Sequence, residues 1–135
     1  MAEESKAKLI QAAAKARERA VAPYSNFKVG AALLTRQGKI ITGANVESAS
    51  YGLTCCAERV ALFTALTGGN KNFSAIAVVA RAENGPTPCG ACRQLLAEYA
   101  PDAVVWVADS RALRKARSFT VKDLLPNAFT DVHKP

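Results

Sequence analysis

The sequence has little of what marks a secreted, membrane or nucleic-acid-binding chain. No run approaches the roughly 20 apolar residues that a membrane helix needs. The N-terminus, Met1-Ala2-Glu3-Glu4-Ser5-Lys6, carries charges of both signs and no apolar signal region follows it, so the expected location is cytoplasmic, without a membrane. Aromatic residues make up only 7% of the 135 positions, and His133 is the single histidine. Acidic residues are outnumbered, 11 to 18, for a net charge of +7. Such a balance invites a nucleic-acid reading. The basic residues, however, gather in Lys6–Arg19 and Arg111–Lys122 with no regular interleaving of aromatics, which favours a solvated face over a nucleic-acid groove. No repeat, low-complexity tract or linker interrupts the chain. Residues 1–135 are therefore expected to form one domain.

Half the residues are apolar and about a fifth are charged, a soluble globular mix. Four cysteines are present: Cys55, Cys56, Cys89 and Cys92. Disulfides belong to oxidising compartments, so in a chain expected to be cytoplasmic a cluster of cysteines reads first as metal ligands.

Periodicity and breakers predict the elements. A first helix runs from Ser5 to about Val21 and ends before Pro23. Phe27–Leu34 and Ile40–Val46 form an antiparallel hairpin across Arg36–Lys39. Glu47–Thr54 is a loop. Cys56 to about Leu66 is a helix stopped by Gly68-Gly69-Asn70. Phe73–Ala80 is a strand buried on both faces. Cys89–Ala100 is a helix between Pro88 and Pro101. Ala103–Ala108 and Leu113–Phe119 are strands too closely linked to be parallel, and Val121–Leu125 is a short last helix. This order of elements predicts an α/β layered domain around a mixed sheet.

The chemistry gathers in Cys56-Ala57-Glu58 and Pro88-Cys89-Gly90-Ala91-Cys92. Each group opens a predicted helix, where unpaired N–H groups favour thiolate over thiol. Cys89 and Cys92 are three residues apart and share a helical face. Three thiolates suit Zn²⁺ and leave a fourth position for water, the arrangement of catalytic rather than structural sites. Glu58, two residues past Cys56, can face that position without being a ligand. A Cys-x-Glu upstream of Pro-Cys-x-x-Cys is the three-cysteine form of the zinc deaminase signature. Adjacent side chains diverge, so Cys55 and Cys56 are not both ligands, and Cys56 is taken because it keeps the two-residue offset to Glu58. Cys55 is read as a small buried apolar residue.

With these motifs in hand, the chain resembles the small, homotetrameric cytidine deaminases of the cytidine/deoxycytidylate deaminase superfamily. The resemblance runs from about Tyr24 to Phe129. It includes Tyr24-Ser25-Asn26-Phe27-Lys28-Val29-Gly30, Asn45-Val46-Glu47, Ser50-Tyr51-Gly52-Leu53-Thr54, Cys56-Ala57-Glu58-Arg59, Pro88–Gln94 and Leu124-Leu125-Pro126. It implies a three-layer α/β/α domain with a five-stranded mixed sheet. The activity it implies is hydrolytic conversion of cytidine and 2'-deoxycytidine to the uridine forms plus ammonia, in pyrimidine salvage.

The resemblance also assigns roles. Cys56, Cys89 and Cys92 would hold one zinc ion per subunit, and Glu58 would shuttle protons. Asn45 and Glu47 would bind the ribose 3'-hydroxyl. Phe27 would pack on the pyrimidine, and the Ala57 N–H would reach the base carbonyl. Arg59 would support the zinc thiolates. Tyr51 and Phe129 would complete the sites of neighbouring subunits in a homotetramer. Taken alone, each residue has a plainer reading: Phe27 as core, Asn45 as strand-end turn chemistry, Glu47 as a solvated loop carboxylate, Arg59 as an exposed helix charge, and Phe129 as cover for its own core. Two positions depart from the family pattern: Ser48 stands where Asn is usual, and Cys55 stands for an apolar residue.

Rival readings are a polynucleotide or antibiotic-directed deaminase and a structural zinc module. The Asn45/Glu47 pair opposes the polynucleotide, because it would cap the ribose where a strand continues. The structural module needs a fourth ligand, for which only His133 is available among histidines.

Overall fold

A computed structural model describes residues 2–131. Its helices are α1 (Glu3–Ala16), α2 (Ala57–Thr67), α3 (Gly90–Tyr99) and α4 (Val121–Leu124). Its strands are β1 (Val29–Thr35), β2 (Ile40–Ala44), β3 (Phe73–Ala80), β4 (Val104–Asp109) and β5 (Arg117–Thr120), with short 3₁₀ turns at Arg17–Arg19, Tyr51–Leu53 and Leu113–Lys115. The strands form one sheet in the order β2-β1-β3-β4-β5. Only β3 and β4 are parallel; the other pairs are antiparallel. The sheet is therefore mixed and five-stranded, as expected.

Alternation along the strands gives the sheet two different faces. Ala32, Ala75, Ala77, Val79 and Ala108 pack with Leu9, Ile10 and Ala13 of α1. Leu33, Ile76, Val78, Val105 and Val107 pack with Leu62 of α2, Leu96 of α3, and Val121 and Leu124 of α4. Helices thus cover both faces, in three layers. The α1 side uses small residues, so the helix lies close: a Cβ on Gly30 would stand 2.0 Å from the Ala13 carbonyl oxygen. Gly43 does the same for α2, where a Cβ would meet the Ala61 nitrogen at 2.5 Å. β3 is buried on both faces, as its apolar run predicts.

Several boundaries differ from expectation. The first helix stops at Ala16, not Val21, because the Val21 N–H goes to the Asn45 carbonyl and its own carbonyl accepts from Glu47 N–H. β1 starts at Val29, not Phe27: Asn26 adopts the left-handed region at φ 60°, and the Asn45 amide takes the place of a neighbouring strand at Phe27 and Val29. β2 ends at Ala44, since Val46 pairs with Cys55 on one side and Val21 on the other. The run from Leu113 begins as a 3₁₀ turn, and only Arg117–Thr120 pairs with β4. Cys56 and Cys89 cap their helices rather than lie within them. Among the described residues, no helix is long and apolar enough to cross a membrane.

Candidate active site

The helices α2 and α3 bring their N-termini together. Cys56 and Cys89 have the extended backbone of an N-cap, yet neither side chain accepts a capping bond from the backbone N–H groups of its own helix. Ser, Thr, Asp or Asn at these positions would close the first turn; cysteine leaves its N–H groups open. The sulfurs turn to each other instead. Cys56 Sγ lies 3.7 Å from Cys89 Sγ, and Cys92, one turn into α3, brings its Sγ to 3.6 Å from that of Cys89. All three atoms lie within 4.8 Å of one another. A tetrahedral ion with bonds of ~2.3 Å sets its sulfur ligands ~3.8 Å apart, so this cluster could hold a metal, and three soft donors fit Zn²⁺ better than Mg²⁺ or Ca²⁺.

The charges around the cluster are organised. The Cys92 thiol, hydrogen-bonded to Cys56, holds Cys56 down at about 5, with the Arg59 guanidinium assisting. The same bond, together with burial, pushes Cys92 up. Arg59 Nη2 donates to the Thr54 carbonyl at 3.1 Å and to Cys56 Sγ at 3.6 Å. Arg59 is thus directed at the sulfurs and is not a solvent-facing helix charge. Glu58, in the first turn of α2, is only 6% exposed. Burial pushes its carboxyl up to about 7, and the charge on Cys56 adds to the effect.

These groups open on a cavity of about 210 Å³. Phe27, Asn45, Cys56, Ala57, Glu58 and Cys89 line it together. Phe27 is 43% exposed and so is not core. Cys92 lies buried beneath its helix end. Glu47 and Tyr51 line an adjoining hollow of about 300 Å³ with Tyr24, Ser25, Ser48 and Thr54. Thr54 borders both spaces.

Asn45 and Glu47 lie two residues apart in a segment clamped between Val21 and Cys55. Asn45 is buried, its Oδ1 accepting from Val29 N–H at 2.8 Å and its Nδ2 donating to the Phe27 carbonyl at 2.9 Å. That leaves one amide N–H and one lone pair. Glu47 is no free loop carboxylate. Its Oε1 accepts from Tyr24 and Ser25 N–H at 3.0 and 3.1 Å, and its Oε2 from the Ser25 hydroxyl. The Ser25 hydroxyl and N–H hold this carboxyl below its ordinary value.

Phe129 lies apart from both spaces. Its carbonyl accepts from Gln94 Nε2 at 2.6 Å while its ring is exposed, which leaves it facing outward rather than covering its own core. His133 lies outside the described residues. Cys55 is half-buried and stands on the cavity wall, not in the core. Sequence reasoning missed Thr54, Val78, Pro86 and Thr87 as cavity lining. Only the two prolines flanking Thr87, marking a loop ahead of the Cys89 helix, hinted at that wall.

A pair of helix ends presenting three thiols beside a buried carboxyl fits a metal-assisted hydrolytic site, and the comparisons with known proteins agree with that class. The model of the cytidine and deoxycytidylate deaminase zinc-binding region matches residues 3–108; the chain belongs to this family. It is 52% identical over 123 residues to a cytidine deaminase of Halalkalibacterium halodurans, covering 90% of this chain and 92% of the relative. A crystal structure of cytidine deaminase from Burkholderia pseudomallei superposes with a TM-score of 0.88 at 50% identity, over 96% of this chain and 100% of that one. A blasticidin-S deaminase of Bacillus cereus is 34% identical over 110 residues, 76% of each chain.

Proposed function

We propose that the chain is a cytidine deaminase, converting cytidine and 2'-deoxycytidine with water to the uridine forms and ammonia, in pyrimidine salvage. One observation carries this reading: three clustered thiols at two helix ends, two of them on the wall of a cavity, lie beside a buried carboxyl on that same wall held near 7. The greater identity to a cytidine deaminase than to the blasticidin-S deaminase favours the nucleoside.

Cys56, Cys89 and Cys92 would hold one Zn²⁺ per subunit. When bound, zinc acidifies water enough to supply hydroxide near neutral pH. Arg59 and the two helix N-termini draw charge off the thiolates, which keeps a three-thiolate site from becoming too electron-rich. Phe27 offers a face to the pyrimidine, and the unused first-turn N–H of Ala57 reaches its carbonyl oxygen. The spare N–H of Asn45 donates to the ribose 3'-hydroxyl, whose proton goes to the spare lone pair on Glu47 Oε2. Glu58 takes a proton from the attacking water and passes it to ring N3. It then moves the remaining hydroxyl proton to the amino group, which leaves as ammonia as C4 becomes a carbonyl. A carboxyl near 7 can accept and release protons at neutral pH.

The exposed rings of Tyr51 and Phe129 fit a homotetramer in which neighbours complete each site. The four free thiols fit a reducing, cytoplasmic setting.

Ultraviolet absorbance of cytidine incubated with zinc-loaded protein tests the reading. The cytidine band should disappear with wild type. Glu58→Ala should keep its zinc and lose at least about 10²-fold in rate. No change with wild type, zinc being present, rejects the nucleoside reading and directs the assay to antibiotic and polynucleotide substrates.

A further inference from the structure

The turn before β1 contains a connection that the proposed roles leave unused. The Ser25 hydroxyl donates to Glu47 Oε2 and accepts the Phe27 N–H at 3.0 Å. The Phe27 carbonyl in turn accepts from Asn45 Nδ2 at 2.9 Å. Glu47, Ser25, Phe27 and Asn45 are thus joined in one hydrogen-bonded chain, whose ends are two residues apart in sequence. The left-handed backbone at Asn26 turns the chain back between Ser25 and Phe27, which allows a single hydroxyl to reach both the carboxylate and the backbone.

Counting acceptors shows what this does. Both lone pairs of Glu47 Oε1 are taken by Tyr24 and Ser25 N–H groups. The Ser25 hydroxyl takes one lone pair of Oε2. One acceptor direction remains. Without the hydroxyl, Oε2 would have two open directions and a carboxylate free to bind water in either.

We propose that Ser25 is a positioning residue for recognition of the ribose 3'-hydroxyl: it aims the last free lone pair of Glu47 and ties that carboxylate to the backbone of Phe27. The inference rests on the reading that Asn45 and Glu47 bind this hydroxyl. Ser25 itself touches no reacting atom, so it acts on affinity rather than on the chemical step.

The test compares cytidine with 3'-deoxycytidine in wild type, Ser25→Ala, Ser25→Thr and Glu47→Ala. Ser25→Ala should raise KM for cytidine about tenfold, the size of one hydrogen bond to a charged group, with kcat little changed. On 3'-deoxycytidine it should match wild type within about twofold, so the preference for cytidine collapses. Ser25→Thr, which keeps the hydroxyl, should restore it. Adding Ser25→Ala to Glu47→Ala should cost little more, because the two act as one unit. An unchanged preference in Ser25→Ala overturns the inference, whether both substrates fall together or neither does. If Glu47→Ala also leaves the preference unchanged, the 3'-hydroxyl assignment itself fails. If the preference collapses in Glu47→Ala and survives in Ser25→Ala, only the role of Ser25 is lost.

Discussion

The N-terminus of α4 differs from those of α2 and α3. At α4, Thr120 Oγ1 accepts the Asp123 N–H at 3.0 Å and Asp123 Oδ2 accepts the Thr120 N–H at 3.1 Å. This reciprocal capping box satisfies two donors and starts a helix of only four residues. At α2 and α3 the caps are Cys56 and Cys89, whose side chains leave the turn uncapped and face each other. One end satisfies itself and is structural. The other two keep unpaired donors and thiols in a shared cavity. Local stability is given up where chemistry needs the polarised helix end.

The sharpest way to break this contrast is to convert a working end into a self-satisfied one. Cys89→Ser introduces a cap-forming side chain and removes a thiolate. Metal affinity should fall by more than the ~10–100-fold of losing an outer-shell partner. The metal-free protein should nonetheless gain up to about 1 kcal/mol from the new cap, a rise of a few degrees in melting temperature. Calorimetry of metal-free and metal-loaded samples reads both effects. A metal-free variant less stable than wild type would show that Cys89 supports the helix and that the contrast is wrong.

Acid offers a gentler break. In the metal-free cluster Cys56 sits at about 5 and Cys92 is raised. At neutral pH Cys92 therefore keeps its proton, and metal uptake must expel at least that one. Protons and metal compete, so affinity falls as pH drops, and falls faster once Cys56 also protonates below about 5. Metal release followed with a chromogenic chelator between neutral pH and pH 4 checks the direction. Affinity that rises on acidification would refute the thiolate assignment.

The smallest effect belongs to the structural end. Thr120→Ala should cost about 1 kcal/mol of stability and leave metal content unchanged. Loss of metal in that variant would join the two kinds of helix end into one cooperative unit.

Much of the site was legible because its signals are local. Cys89 and Cys92 lie one helical turn apart, and Glu58 keeps a fixed offset from Cys56 within another turn. Sequence spacing thus places them on known faces. The apolar run Phe73–Ala80 likewise reads directly as a strand buried on both sides. Less was legible at Asn45 and Glu47. Their free hydrogen-bonding capacity depends on Val29, Phe27, Tyr24 and Ser25, which lie 16 to 23 residues away. The end of the first helix was missed for the same reason: Val21 is claimed by residues 45 and 47, and helix propensity does not see that pairing.

By itself, the sequence determined which chemistry was available: three thiols, one carboxyl at a helix start, and strands and helices in the order of an α/β layer. These follow from residue type and short-range period, which need no knowledge of the rest of the chain. Only the tertiary structure decided that Cys56 and Cys89, 33 residues apart, would meet at 3.7 Å. It also decided that Glu58 would be buried and Glu47 would keep a single free lone pair. The first two outcomes depend on how α2 and α3 pack on one face of the sheet, where burial of Leu33, Leu62, Val78 and Leu96 fixes the distances between groups that no local rule relates; the last depends on the turn that brings Tyr24 and Ser25 to Glu47.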